Sequence, residues 1–206
     1  MKKSRPLISL TTSVLLLFGS VAFAADTPPR KSADTATAIF AGGCFWCIEA
    51  DFEKLPGVIG AESGYTAGKV ANPTYRQVSA GGTGHTEAIR VSYDPAKVSY
   101  QQLVDYFWRH IDPTVRDRQF CDVGTQYRSG IYWRDEAERK IAEASRDALL
   151  KNGKLAQVHT EIAAASAFYP AEEYHQDYYK KNPIRYAFYR KSCGRDARVH
   201  EIWGDK

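Results

Sequence analysis

With 206 residues, 44% of them hydrophobic and 25% charged, the chain is long enough to bury one sizeable core. The formal net charge is +4, and Lys2, Lys3 and Arg5 carry three of those charges; the rest of the chain, at about +1 (4 minus 3), gives no electrostatic reason to expect nucleic acid or an anionic membrane as partner.

Residues 1–24, MKKSRPLISLTTSVLLLFGSVAFA, set three basic residues before an apolar run, Val14 to Phe18, and end on Ala22-Phe23-Ala24. That is the layout of a secretory signal peptide cut after Ala24, and the apolar part is short for a membrane span. Residues 25–34, ADTPPRKSAD, are polar with a Pro pair and read as a flexible lead-in to a domain over residues 35–206. Thr35 to Ala41 reads as a short buried strand, after which Gly42-Gly43 turns the chain into a helix. Phe45, Ile48, Phe52 and Leu55 mark its apolar face, and Pro56-Gly57 ends it. Cys44 is thereby placed at or next to a helix N-terminus.

Val58 to Tyr65 is a second strand, followed by a loop rich in Gly, Asn and Pro to Gly84. His85 to Asp94 alternates, with Glu87, Ile89, Val91 and Tyr93 on one face. An amphipathic helix runs from Ser99 to His110 on Val104, Phe107 and Trp108, and stops before Asp112-Pro113. Gln126 to Trp133 alternates again, with Tyr127 on the same face as Ser129, Ile131 and Trp133. A helix on Ala137, Ile141, Ala144 and Ala148 ends at Asn152-Gly153, and Gln157 to Ala163 is a further strand. PAEEYHQDYYKKNP, from Pro170, reads as a short aromatic-rich helix, and the rest is a polar tail rich in Gly, Arg and Lys. Interleaved strands and helices with no repeat or linker define one α+β domain.

Four cysteines, Cys44, Cys47, Cys121 and Cys193, allow three pairings, and an exported chain can hold disulfides. A thiol at a helix N-terminus is shifted toward the thiolate, which suits Cys44 to nucleophilic attack; a structural disulfide or buried thiols is the competing reading. Glu87 points to the core side at the start of its strand, where desolvation would keep it protonated as a general acid. Tyr75, in the glycine-bounded loop, and Tyr127, at the inward start of its strand, offer neutral hydroxyl donors. Asp122, His85 and His175 are further polar candidates. One CxxC with no matching second half is a weak basis for zinc, so no metal site is expected.

Taken together, GGCFWCIEADFEKLPGV, SGYTAGKVANPTYRQVSAGGTGHTEAIRVSYDP, CDVGTQYRSGIY and FYPAEEYHQDYYKKNP resemble the peptide methionine sulfoxide reductases of the A type, in order and over nearly all of the chain from about Ala38. The resemblance implies a two-layer α+β sandwich of ferredoxin-like type with irregular loops and a C-terminal tail. It also implies reduction of the S epimer of methionine sulfoxide, free or in proteins. Carried onto this chain, it makes Cys44 the nucleophile and Phe45 and Trp46 the wall for the substrate methyl. Glu87 becomes the acid, and Tyr75, Tyr127 and Asp122 the polar groups around the sulfoxide oxygen. No bound cofactor is implied. Turnover would use an external dithiol reductant of thioredoxin-like type, acting on a monomer in the bacterial periplasm with no stable membrane association once the signal is removed.

Many relatives have Gly where Cys47 stands, and many carry the recycling cysteine in a Gly-rich tail unlike YRKSCGRD. The resolving cysteine therefore stays open between Cys47, one helical turn from Cys44, and Cys193 on the polar tail, with Cys121 in a structural or backup role. Two rival readings also remain: a general thiol-disulfide oxidoreductase using Cys44 and Cys47, and an exported module that binds methionine-rich or oxidised surfaces. The chain's single methionine is Met1, so the mature protein would have none of its own to lose to oxidants.

Overall fold

The computed structural model describes residues 35–204, so the expected signal peptide and lead-in at 1–34 lie outside the described residues. The central strand β1 (Ala36–Gly42) pairs antiparallel with both β3 (Thr86–Tyr93) and β6 (Ser129–Trp133), setting Phe40 opposite Ile89 on one side and Ile131 on the other. The sheet is completed by β2 (Val58–Thr66) on β3, by the two-residue β8 (Tyr169–Pro170) on β2, and by β7 (Glu161–Ala164), parallel to β6. A separate short ribbon joins β4 (Arg118–Gln119) to β5 (Asp122–Val123).

One face of the sheet carries the main core, where Phe40 stacks on Phe52 of α1 (Phe45–Phe52) at 5.0 Å and on Phe107 of α3 (Tyr100–Trp108) at 5.2 Å. α3 starts where Ser99 and Gln102 close a capping box, and α4 (Glu136–Lys151) where Asp135 caps the Glu138 N–H. The result is an α+β two-layer sandwich of ferredoxin-like type.

Three local expectations are corrected. The strand anticipated from Gln126 begins only at Ser129, because Thr125–Tyr127 is a 3₁₀ turn entered through Gly124 at φ 138°. The Thr86 hydroxyl sits against the Gln126 and Arg128 carbonyls and holds the turn. The loop before Gly84 contains α2 (Tyr75–Ser79), capped by Thr74 and Gln77. The C-terminal tail is helical and packed: after a 3₁₀ turn at Glu173–His175 come α5 (Tyr178–Lys181), α6 (Pro183–Ser192) and α7 (Arg195–Trp203). Arg195, only 1% exposed, donates to the carbonyls of Gly42 and His110, and the Trp203 indole donates to that of Ile111. A polar composition concealed this docking, because the charged side chain finds its acceptors inside the fold.

Gly43 makes the turn from β1 to α1 at φ +79°, and a Cβ there would lie 2.5 Å from Cβ of the buried Gln119. Gly43→Ala is expected to lower stability by about 2 kcal/mol or more, through left-handed strain plus the clash, and a thermal melt would show it.

Candidate active site

The β1–α1 turn delivers Cys44 as the N-cap of α1, and its carbonyl accepts the first helical hydrogen bonds, from Cys47 N–H at 3.1 Å and Ile48 N–H at 3.4 Å. The next N–H, of Phe45, has no helical acceptor and donates at 3.0 Å to Glu87 Oε2 from the neighbouring strand β3. One register thus fixes a carboxyl beside the cysteine. A cavity of about 230 Å³ opens there, lined by Cys44, Phe45, Trp46, Tyr75, Glu87, Asp122, Tyr127 and Tyr189. A larger open cleft of about 430 Å³ between α3 and α4 has no cysteine in its lining.

Glu87 is 2% exposed, and burial pushes its carboxyl up to about 8, against the lowering effect of the Phe45 N–H. It is mainly a protonated acid at neutral pH. Burial likewise pushes the Tyr75 hydroxyl up to about 12 and the Tyr127 hydroxyl higher still, so both are neutral donors. Tyr127 reaches the pocket from the 3₁₀ turn rather than from a strand face. Asp122 is also raised by burial, and its Oδ2 accepts from the Tyr189 hydroxyl at 2.6 Å.

The aromatic wall is locked from behind. Trp46 lies flat on Tyr178, centroids 3.7 Å apart and planes at 6°, and its indole N–H donates at 3.0 Å to His175 Nδ1. Burial lowers the His175 pKa and keeps the ring neutral, as an acceptor of that bond must be. His85 instead serves the loop, with Nε2 2.7 Å from the Val70 carbonyl.

The cysteines sort into two pairs. Cys44 and Cys47 are free, buried thiols that hydrogen-bond to each other. Cys121 and Cys193 form a disulfide across 72 residues, which ties β5's approach to the end of α6. Cys193 therefore has no free thiol, and it caps the end of α6. The charge expected on Cys44 is also corrected: burial first, then the bond to Cys47, pushes the Cys44 thiol well up, while that same bond holds Cys47 down.

Tyr189 was missed at the level of sequence. It lines the pocket, bonds Asp122 and hydrogen-bonds with the Cys44 sulfur. Its spacing from Tyr186 and before Arg190 was the available signal, one helical face turned inward, but the segment did not read as a helix.

A free thiol pair, a protonated carboxylic acid and neutral hydroxyl donors behind an aromatic wall define a cysteine-dependent enzyme on this fold. A family model for peptide methionine sulfoxide reductase matches residues 36–206. The chain is 48% identical over 200 residues to peptide methionine sulfoxide reductase MsrA 2 of Caulobacter vibrioides, covering 97% of this chain and 99% of that protein. It is 51% identical over 168 residues to the MsrA of Ligilactobacillus salivarius, covering 81% and 97%. Among solved structures it is similar to methionine sulfoxide reductase A of Corynebacterium diphtheriae, with a TM-score of 0.66, 37% identity, and coverage of 75% of this chain and 78% of that one. Reduced Mxr1 from Saccharomyces cerevisiae gives 0.68, 33%, 77% and 92%. The chain belongs to the peptide methionine sulfoxide reductase family, A type, and is a methionine sulfoxide reductase.

Proposed function

We propose that the enzyme reduces the S epimer of methionine sulfoxide, in proteins or free, with Cys44 as nucleophile and Cys47 as resolving thiol. The observation that carries the reading is the convergence of Cys44, the protonated Glu87 and the Phe45–Trp46 wall on one cavity. The substrate methyl packs on the wall while the oxygen faces Glu87, Tyr75 and Tyr127, an arrangement that the mirror-image sulfoxide cannot satisfy.

Cys44 passes its proton to Cys47 as its sulfur attacks the sulfoxide sulfur, and Glu87 protonates the departing oxygen. The protonated oxygen bonds to the Cys44 sulfur as it leaves the substrate sulfur, the bond between the two sulfurs breaks with its electron pair going to the substrate, and methionine is released with Cys44 left as sulfenic acid. Cys47 then attacks the Cys44 sulfur, the S–O bond breaks, and the hydroxyl leaves as water with the Cys47 proton. Glu87 regains its proton from solvent. An external dithiol of thioredoxin-like type reduces the resulting disulfide.

The substrates are oxidised methionine-containing proteins and peptides, met after export to the periplasm by the N-terminal signal. Prereduced protein given each sulfoxide epimer separately, with no added reductant, is expected to form about one methionine per chain from the S epimer alone and to lose two thiols. Equal yields from both epimers would remove the proposed stereoselective wall, and none from either would remove the nucleophile assignment.

A further inference from the structure

Behind Cys47, on the side away from the cavity, lies a charge cluster that the reaction above leaves unused. Asp51, one helical turn on from Cys47, is 2% exposed. Two guanidiniums meet it there: Arg190 Nη1 of α6 at 3.0 Å and Arg195 Nε of α7 at 3.6 Å. Arg190 Nη1 also donates to the Cys47 carbonyl at 3.4 Å and to the Tyr186 hydroxyl at 3.0 Å. Arg195 places its other two nitrogens on neutral backbone carbonyls, of Gly42 and His110, and its guanidinium over the Phe120 ring.

Arg195, 1% exposed, and Arg190, whose side chain is 12% exposed, therefore face one buried anion. The other carboxylate on Arg190, Asp196, accepts from its Nε at 3.0 Å and its Nη2 at 2.6 Å, but does so from the solvent side, with its own side chain 65% exposed and screened by water. On the inner side of the cluster positive charge is in excess, and that is costly unless a further negative charge is held nearby. The group placed to carry it is the Cys47 sulfur, which is 2% exposed and feels both arginines.

We propose that Arg190 and Arg195, carried by the two C-terminal helices, form the electrostatic seat of Cys47. They hold its sulfur as the thiolate that accepts the Cys44 proton, closes the disulfide and leaves when that disulfide is reduced. The inference rests on Cys47 being the resolving thiol, and it makes both arginines positioning residues. The last step follows from access. In the Cys44–Cys47 disulfide only the Cys44 sulfur borders the cavity, so an incoming thiolate bonds to Cys44, the S–S bond breaks, and the electron pair goes to Cys47. A stabilised leaving thiolate speeds that exchange. The second thiol of the reductant then attacks its own sulfur in the mixed disulfide and releases Cys44.

The groups that face Cys47 are Cys44 and Asp51 on α1, Glu87 on β3, Tyr186 and Arg190 on α6, and Arg195 on α7. Their signs give an opposed pair of variants. Arg190→Gln removes a cation and Asp51→Asn removes an anion, yet both break the same ion pair. In single-turnover experiments that follow disulfide closure against pH, Arg190→Gln is expected to move the midpoint up by about one unit, with about tenfold slower closure at pH 7. Asp51→Asn is expected to move the midpoint down, and Arg190→Lys to keep it near the parent's. Loss of packing alone would shift neither midpoint or shift both alike, and either result overturns the proposal. Retained loss of two thiols in Cys47→Ser would instead overturn the assignment of Cys47 as resolving thiol, which separates the two failures.

Discussion

Glu87→Gln is expected to slow sulfoxide reduction about a hundredfold or more, the usual weight of a positioned general acid. The substitution keeps an oxygen for the Phe45 N–H and nearly the same volume, so the 3.0 Å bond that fixes the side chain beside Cys44 survives. What it removes is the proton. The parent should therefore lose activity as pH rises through about 8, where the Glu87 carboxyl ionises, and the variant should lack that alkaline limb.

Stability should move the other way. A carboxyl raised from 4.5 to about 8 in the folded state favours the fold fully below 4.5, and that contribution is lost as pH rises toward 8. The slope is about 1.4 kcal/mol per pH unit in that window. Above pH 7 the Gln variant should thus melt higher than the parent while reducing sulfoxide far more slowly. A variant with parental rate at every pH would remove Glu87 from the chemistry. A variant that is slow but not stabilised would remove the buried, protonated state.

Much of this site was legible because its groups sit on periodic elements close to Gly turns. Alternation placed Glu87 on the buried face of β3, and Gly42-Gly43 before an apolar helix placed Cys44 at its start. Tyr127 reads as a strand residue because an alternating run looks the same when a side chain caps its first carbonyls, as Thr86 does here. The charge on Cys44 is hidden for a different reason: a helix N-terminus is visible in sequence, whereas the desolvation that opposes it depends on the whole enclosure. The tail was least legible. Arg195 reads as a surface residue until Gly42 and His110, 153 and 85 positions away, turn out to supply its acceptors. The Cys121–Cys193 bond is likewise one of three pairings that spacing alone does not rank.

Cys47→Ser is expected to split the first turnover from every later one. With Cys44 and Glu87 intact, the variant should still form about one methionine per chain, and Cys44 should then remain as sulfenic acid. Steady-state turnover with a thioredoxin-like reductant should fall about a hundredfold or more, because the reductant must then attack a sulfenic acid inside a narrow cavity instead of a disulfide. The Cys121–Cys193 pair does not supply a substitute, since both sulfurs are bonded to each other. Replacing that pair by serines should consequently keep the two-thiol stoichiometry of the parent. The informative comparison is quantitative mass spectrometry of the two variants after one addition of sulfoxide and no reductant. An added oxygen on Cys44 in Cys47→Ser, with an intact Cys44–Cys47 disulfide in the double variant, would place resolution on α1. A Cys44 disulfide to Cys121 or Cys193 would put it on the β4–β5 turn or at the end of α6, and the arginine seat behind Cys47 would lose its purpose.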